Sequence, residues 1–316
     1  MPSTLKTHLL SLVALVRRYP GVIAAFGFVS GVASFFLVER HEGFARVIAL
    51  AMLLGWVWLV LERALSELLT ERFGLRLPPG LLRYATQMIH QESLFFALPF
   101  FLASTSWNSG QAVFTGCLIV AALVALTDPI YYKRLAPRRW LFLTYHTLTL
   151  FAVLLVAMPL ILHLPTARSY ELALGIAVLL AFPSLLGSIT LPRWWRGVLV
   201  VGLMLALGGV GWLARLWVPP ATLRLTEVAL ATVIDDVSRA PDNRLVEIDA
   251  AQLAEHGLFA YTAIQAPLGL QERIQHVWMH EGREIDRITL DIHGGRAEGY
   301  RAWTRKQNFP PAPGGR

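Results

Sequence analysis

The stretch Gly197–Trp217, GVLVVGLMLALGGVGWLARLW, decides how this chain is organised. It carries no charged residue before Arg215, and about 20 residues at ~1.5 Å rise per residue cross a hydrocarbon core of ~30 Å. Val218-Pro219-Pro220 follows at once. We therefore predict that the stretch is the last transmembrane helix and that the two prolines lead into a soluble domain.

The composition changes at the same point. Of the 316 residues, 55% are hydrophobic and only 16% are charged, whereas a soluble domain averages about a quarter charged. The deficit lies in the first two-thirds of the chain, which predicts an α-helical polytopic membrane domain over residues 1–218. The polar remainder predicts a small antiparallel β-sheet or sandwich domain over residues 219–316.

The apolar segments predict about seven spans, preceded by a short amphipathic helix on the membrane surface at residues 4–16. The predicted spans are Gly21–Val38, Phe44–Leu61, Tyr84–Ser106, Gln111–Tyr131, Trp140–Leu162, Tyr170–Thr190 and Gly197–Trp217.

Basic residues in the short loops predict the orientation and the partner. The formal charge of +7 comes from Arg and Lys between apolar segments, which is the positive-inside pattern and predicts a lipid bilayer rather than a nucleic acid as the partner. Most of these residues fall in the loops on the same side as the amino terminus, whereas the short loops on the other side hold only Arg40, Arg46 and Arg168. The amino terminus is therefore expected in the cytoplasm and the β-domain outside it.

After Pro220 the pattern changes to short runs rich in Ile, Val, Thr, Tyr and Trp, which is typical of strands. The predicted strands are Thr222–Ile234, Leu258–Ile264, Arg273–His280, Ile285–His293 and Gly299–Arg305. A three-residue loop around Gly282 in the left-handed region predicts a hairpin. Its register pairs His280 with Glu284, Trp278 with Asp286, His276 with Ile288 and Ile274 with Leu290.

Four ionisable residues in the membrane half form a candidate polar cluster: His90, Glu92, Asp128 and His146. Counted at ~1.5 Å per residue from the flanking charges, His90, Asp128 and His146 reach a similar depth of ~8–10 Å in the inner leaflet. Ionisable groups there usually face each other, water or a ligand. The alternative, which the sequence alone favours, is that they lie at the headgroup interface.

A second candidate site is the strand run GYRAWTRK, in which Arg301, Trp303 and Arg305 share one face. An arginine–aromatic face can bind a planar or anionic partner. It can equally be a packed sheet face whose arginines reach to water, and we favour this interpretation.

No catalytic, cofactor or metal signature is evident. The chain has no nucleotide loop, GxSxG, HExxH or CxxC, so we expect no cofactor and assign no catalytic residue. His276 and His280 are ~13 Å apart along a strand, too far for one zinc ion. A hydrogen-bonded, partly buried His276 is the better interpretation.

The segment Ala260–Phe309 resembles a bacterial module known only as a domain of unknown function, the 2914 type. The resemblance lies in His276-Val277-Trp278, LDIHGGR (290–296) and GYRAWTRK (299–306). Such modules often follow a multi-span membrane region, so the resemblance implies a bacterial inner-membrane protein with a periplasmic domain. Such modules also continue past the final Pro/Gly turn, and we therefore expect this domain to be incomplete, with an open edge or a partly exposed apolar face.

Two functions follow from these patterns. The first is a binding or structural protein whose outer β-domain contacts an envelope component or a partner protein. The alternative is a small-solute transporter or lipid-modifying enzyme that uses the inner-leaflet polar cluster.

Overall fold

The computed structural model describes residues 42–73, 79–188, 192–267, 269–280, 282–296 and 298–309. The predicted surface helix and the first predicted span lie outside these residues. The chain forms two compact units. The helical unit contains residues up to Leu162 and Ala167–Ala221, and the β-unit contains His163–Thr166 and the chain from Thr222 onward.

The helical unit is built from seven α-helices, one π-helical turn and one 3₁₀ turn in its described part. They are α1 (Glu42–Phe73), α2 (Pro79–Ser104), α3 (Gln111–Leu126), the short α4 (Asp128–Ile130), a π-helical turn (Tyr131–Leu135), α5 (Arg139–Leu162), α6 (Thr166–Ser188), α7 (Arg193–Leu213) and a 3₁₀ turn (Ala214–Trp217). The side chains of α5 are buried almost throughout its second half, so this helix is the centre of the bundle.

The prediction of about seven spans is wrong for the part of the chain that the structure describes. Two helices there are long and apolar enough to cross a membrane, Arg139–Leu162 and Trp194–Trp217. Two bent helix pairs could each add one span. One pair is Arg46–Glu62 with Ser66–Arg72, both in α1, and the other is Gln111–Leu126 with Asp128–Leu135, so the number is four at most. The predicted third span falls on α2, which is not among them, because polar residues such as Gln87, His90 and Glu92 interrupt its apolar character.

The predicted fourth span is broken by a bend of 96° between Gln111–Leu126 and Asp128–Leu135. Thr127 adopts an extended conformation there (φ −105°, ψ 90°). Pro129 is the cause, because its ring has no N–H to donate to the carbonyl of Ala125 and would clash with it in a continuous helix. Because of the break, Tyr131 does not end a straight span and is instead buried within the helical unit.

The outside of the helical unit is apolar. On α7 the side chains of Leu205, Val210 and Leu213 are 71%, 65% and 79% exposed, while His90 on α2 is fully buried. Apolar groups outside and polar groups inside is the arrangement that lipid favours.

The β-unit contains seven strands and one short helix in its described part. They are β1 (Arg224–Ala231), β2 (Ile234–Asp235), β3 (Ala240–Pro241), α8 (Ala250–His256), β4 (Leu258–Gln265), β5 (Gln271–His280), β6 (Arg283–His293) and β7 (Tyr300–Lys306). They form an antiparallel sheet in the order β1-β4-β7 and two two-stranded sheets, β2-β3 and β5-β6. The predicted helical region followed by small antiparallel sheets is confirmed.

The β5–β6 hairpin has the predicted register along most of its length. Ile274 pairs with Leu290, His276 with Ile288 and Trp278 with Asp286. The register then shifts between Trp278 and Met279, so His280 pairs with Arg283 and not with Glu284. Gly282 has φ +76°, as a tight left-handed loop requires.

The hairpin packs on the three-stranded sheet through a histidine. Nε2 of His276 lies 3.0 Å from Oγ1 of Thr262 on β4, and Nδ1 lies 3.0 Å from Oγ1 of Thr304 on β7. Lys306 also donates to Asp286 across the same junction. The predicted hydrogen-bonded, partly buried His276 is confirmed, and it joins three strands.

The apolar face of the β5–β6 hairpin is buried only in part. Trp278 and Ile292 are buried, whereas Ile288 and Leu290 are half-buried. Gly294 follows β6 at a close backbone approach, where a Cβ atom would lie 1.8 Å from the carbonyl oxygen of Pro267. This contact is the physical reason for glycine in the LDIHGGR run.

Candidate functional site

Buried polar side chains of the helical unit lie on one face of α2. Gln87 and His90 occupy neighbouring turns of this face and are 4% and 0% exposed. Helix α2 packs against α3 and α5, so these side chains need partners from those helices and the turns between them.

Gln87 compensates for the break at Pro129. Its Nε2 donates to the carbonyl oxygen of Ala125 at 2.9 Å and to Oδ1 of Asp128 at 2.7 Å. The Ala125 carbonyl is the one that Pro129 leaves without a helical donor. Gln87 and Asp128 therefore hold the bend in place, which also fixes the position of Tyr131 one turn later.

His90 is the middle member of a hydrogen-bonded row, which we call the histidine chain (Tyr131, His90 and His146). Nδ1 of His90 lies 2.8 Å from the hydroxyl oxygen of Tyr131. Nε2 of His90 lies 2.9 Å from Nδ1 of His146 on α5. Both ring nitrogens of a fully buried imidazole are thus partnered.

Aromatic rings enclose the histidine chain. The centroids of Trp56, Phe142 and Tyr145 lie 5.6, 5.7 and 5.2 Å from that of His90. Trp56 also lies 4.7 Å from the His146 ring and is held by a hydrogen bond from its Nε1 to Oγ of Ser93 at 2.9 Å. These rings exclude water, which strengthens the hydrogen bonds that they surround.

The structure brings together part of the predicted polar cluster. His90 and His146 are in direct contact, and Asp128 bonds to Gln87 one helical turn before His90. Glu92 lies elsewhere, because it lines a separate cavity of about 110 Å³ with Met52, Gly55 and Met88. Three of the four residues therefore belong to one constellation.

His146 lines another cavity of the helical unit, with a volume of about 530 Å³. Its walls come from the middle of α1 and the first turns of α2 and α5. The lining residues are Leu59, Glu62, Pro79, Leu82, Arg83, Thr86, Arg139, Phe142, Leu143 and His146. This size suits a small molecule or a lipid headgroup.

The charges in this cavity are unbalanced. Arg83 and Arg139 line it together with a single carboxylate, Glu62. Among the described residues neither arginine forms an ion pair or a side-chain hydrogen bond. Two unpaired guanidinium groups near an apolar wall favour a ligand that carries negative charge.

The face of β7 that was predicted from Arg301, Trp303 and Arg305 is occupied by contacts within the β-unit. Arg301 bonds to the carbonyl oxygen of Ser238 and to Glu298. Arg305 donates to the carbonyl oxygen of His256 and lies 5.2 Å from the Phe259 ring centroid. The Arg239 guanidinium lies 5.2 Å from the centroid of Trp303, so the face is largely covered by its own chain.

Ordinary structural contacts also account for His276 on β5. Burial lowers the pKa of His276, so the neutral ring that two threonine hydroxyls hold is the form that the fold favours. Across the described ranges, no group of three or more His, Cys, Asp or Glu side chains is placed to hold a metal ion.

Comparison with known proteins shows two matches. The model of DUF5924, a family of unknown function, matches residues 2–260. The model of DUF2914, a protein of unknown function, matches residues 271–315, which confirms the resemblance of the carboxy-terminal segment. No curated protein and no solved structure matches the chain. Because the first match extends over the helical unit and the strands up to Ala260, the chain belongs to DUF5924, a family of unknown function.

Proposed function

We propose that this protein is a multi-pass protein of the bacterial inner membrane whose helical unit binds a small solute or a lipid headgroup in the 530 Å³ cavity. The amino terminus lies in the cytoplasm and the β-unit in the periplasm. The two to four apolar helices and the exposed apolar surface of α7 support membrane insertion. The basic loops support this orientation.

The observation that carries the proposal is the connection between the cavity and the histidine chain. His146 lines the cavity and also contacts His90 in the interior of the bundle. A polar constellation that only filled the bundle would need no such opening. Binding at this place is the first step of either solute transport or lipid modification.

Blocking the cavity tests the proposal. Thr86 lines the cavity, and its hydroxyl bonds back to the carbonyl of Leu82. A Thr86→Trp variant fills the space. Thr144 on α5 makes the same kind of bond to Trp140 but is exposed, so Thr144→Trp is the matched control.

Native mass spectrometry of the full chain extracted from its membrane gives the readout. We expect the wild type and Thr144→Trp to carry a bound small molecule or lipid that Thr86→Trp lacks. Identical bound masses in all three proteins would refute the proposal.

A second candidate function is contact of the β-unit with an envelope component or a partner protein. Although its own chain covers most of the Arg301–Trp303–Arg305 face, the guanidinium groups of Arg239 over Trp303 and Arg305 over Phe259 belong to exposed residues and suit an anionic partner. Cross-linking of the full chain in envelope extract tests it. Arg305→Glu should remove a cross-linked partner that Arg273→Glu, on the β5–β6 hairpin, retains.

A further inference from the structure

We infer that the ligand of the 530 Å³ cavity carries an oxyanion, of the phosphate or carboxylate class, which accepts a hydrogen bond from Nε2–H of His146. This inference rests on the proposed function, since it names the ligand class for that same cavity. The donor at His146 follows from the direction of the hydrogen bonds in the histidine chain.

The hydroxyl of Tyr131 fixes which group donates in each hydrogen bond of the histidine chain. Its side chain is 2% exposed, and Nδ1 of His90, at 2.8 Å, is the only hydrogen-bond partner of its hydroxyl among the described residues. A buried hydroxyl with a single partner donates to it, because a buried donor without an acceptor costs more than an unused lone pair. Tyr131 therefore donates and Nδ1 of His90 accepts.

The tautomers of both histidines follow. A neutral imidazole has one N–H, so His90 carries its proton on Nε2. That proton points at Nδ1 of His146, 2.9 Å away, which must accept. His146 then carries its own proton on Nε2. Neutral rings are expected because no carboxylate is in hydrogen-bond contact with either histidine in the described structure, and a charge buried among aromatic rings is costly.

The Nε2–H group of His146 is the free end of the chain. It has no partner among the described residues, and it is not one of the fully enclosed unpaired atoms. Since His146 lines the cavity, the histidine chain presents a fixed donor to whatever occupies it. The complementary group is a hydrogen-bond acceptor.

The surrounding residues define that acceptor further. Arg83 and Arg139 outnumber Glu62 in the cavity wall, so negative charge on the acceptor is favoured. Leu59, Leu82, Phe142 and Leu143 supply the apolar remainder. The ligand is thus an oxyanion attached to an apolar group, such as a lipid phosphate, or a free small oxyanion.

Two substitutions of His146 test whether binding needs a hydrogen-bond donor at the position of Nε2 or only a polar side chain at residue 146. The amide nitrogen of glutamine reaches the place of Nε2 and donates, whereas asparagine reaches only the place of Nδ1. Calorimetric titration of the full chain in a maltoside detergent uses dihexanoyl phosphatidic acid and inorganic phosphate as probes. We expect His146→Gln to bind within about threefold of the wild type and His146→Asn to bind about tenfold more weakly or worse.

The tautomer is measured directly in the ¹⁵N spectrum of histidine-labelled protein. We expect the His146 signal, assigned by its loss in His146→Gln, to report a proton on Nε2. A proton on Nδ1, or equal weakening in both variants, would overturn the inference.

The two probes distinguish the source of the ligand. Tight binding of the phosphatidic acid alone identifies a lipid headgroup, and equal binding of inorganic phosphate identifies a free anion; both results support the inference. Binding of hexyltrimethylammonium but of neither phosphate, lost in Thr86→Trp, would overturn the inference and leave the proposed function intact. Identical native masses in the wild type and Thr86→Trp would refute the proposed function itself.

Discussion

The two units each hold one histidine by both ring nitrogens, and they differ in what lies beyond the partners. In the β-unit, His276 lies between the hydroxyls of Thr262 and Thr304, both at 3.0 Å. In the helical unit, His90 lies between Tyr131 at 2.8 Å and His146 at 2.9 Å. The first row ends at two strands of the same sheet, whereas the second ends at a cavity.

This difference separates a structural histidine from a candidate functional one. Full hydrogen bonding and burial are common to both and therefore indicate neither role. The distinguishing feature is the far nitrogen of His146, which extends the row to a space lined by two unpaired arginines. A hydrogen-bond row that is closed at both ends joins strands, and one that is open at one end can recognise a ligand.

The largest expected effect concerns the different environments of the two units. The positive-inside pattern predicts that the β-unit is periplasmic. A reporter that is active only in the cytoplasm, fused after Arg316, should be silent, while the same reporter fused at the amino terminus should be active. Activity of the carboxy-terminal fusion would show that the number of spans is even and that both termini lie on the cytoplasmic side.

Removing each histidine should affect stability unequally. His90→Ala leaves a cavity at a fully buried position and deprives Tyr131 and His146 of their partner. We expect the helical unit to lose about 3 kcal/mol or more. His276→Ala acts at a half-buried position between the half-buried Thr262 and the buried Thr304, and should cost the β-unit about 1–2 kcal/mol.

Separate denaturation of the two units measures this contrast, because a two-unit chain does not unfold in a single step. Detergent–denaturant titration reports the helical unit, and urea titration followed by the fluorescence of the β-unit tryptophans reports the β-unit. Equal losses in the two variants would mean that neither the greater burial of His90 nor its enclosed hydrogen-bond row adds to the cost.

The strands could be predicted from sequence because alternation fixes both the element and its faces. Ile274, His276 and Trp278 recur every second residue, and one loop glycine set the register of the hairpin correctly as far as Trp278. The slip at Met279 depends on a local irregularity that alternation does not encode.

The histidine chain could be predicted only in part. Equal depth along separate helices placed His90 and His146 near each other, but it also included Glu92, which points to another cavity. Periodicity identifies the face of one helix and does not identify which helix meets it. Tyr131 was missed for a further reason: its position depends on the bend at Pro129. The signal for that bend is the Asp128-Pro129 pair, which lies inside the predicted fourth span.

The smallest expected effect is a pH dependence confined to the β-unit. Burial lowers the pKa of His276 below its usual value of 6.5, so the unfolded chain takes up a proton at a higher pH than the folded one. The unfolded state binds more protons between the two pKa values, and stability therefore falls as the pH is lowered through about 6.5 toward the folded pKa. The carboxylates at the same hairpin act at lower pH, because Lys306 lowers the pKa of Asp286 from 3.8 and Arg287 lowers that of Glu284 from 4.5.

Urea midpoints at pH 7 and pH 5 should differ in the wild type, and the difference should shrink in His276→Gln, which keeps one hydrogen bond but cannot titrate. An unchanged difference in that variant would assign the dependence to other groups and would mean that the Thr262–His276–Thr304 row accepts a charged ring as readily as a neutral one.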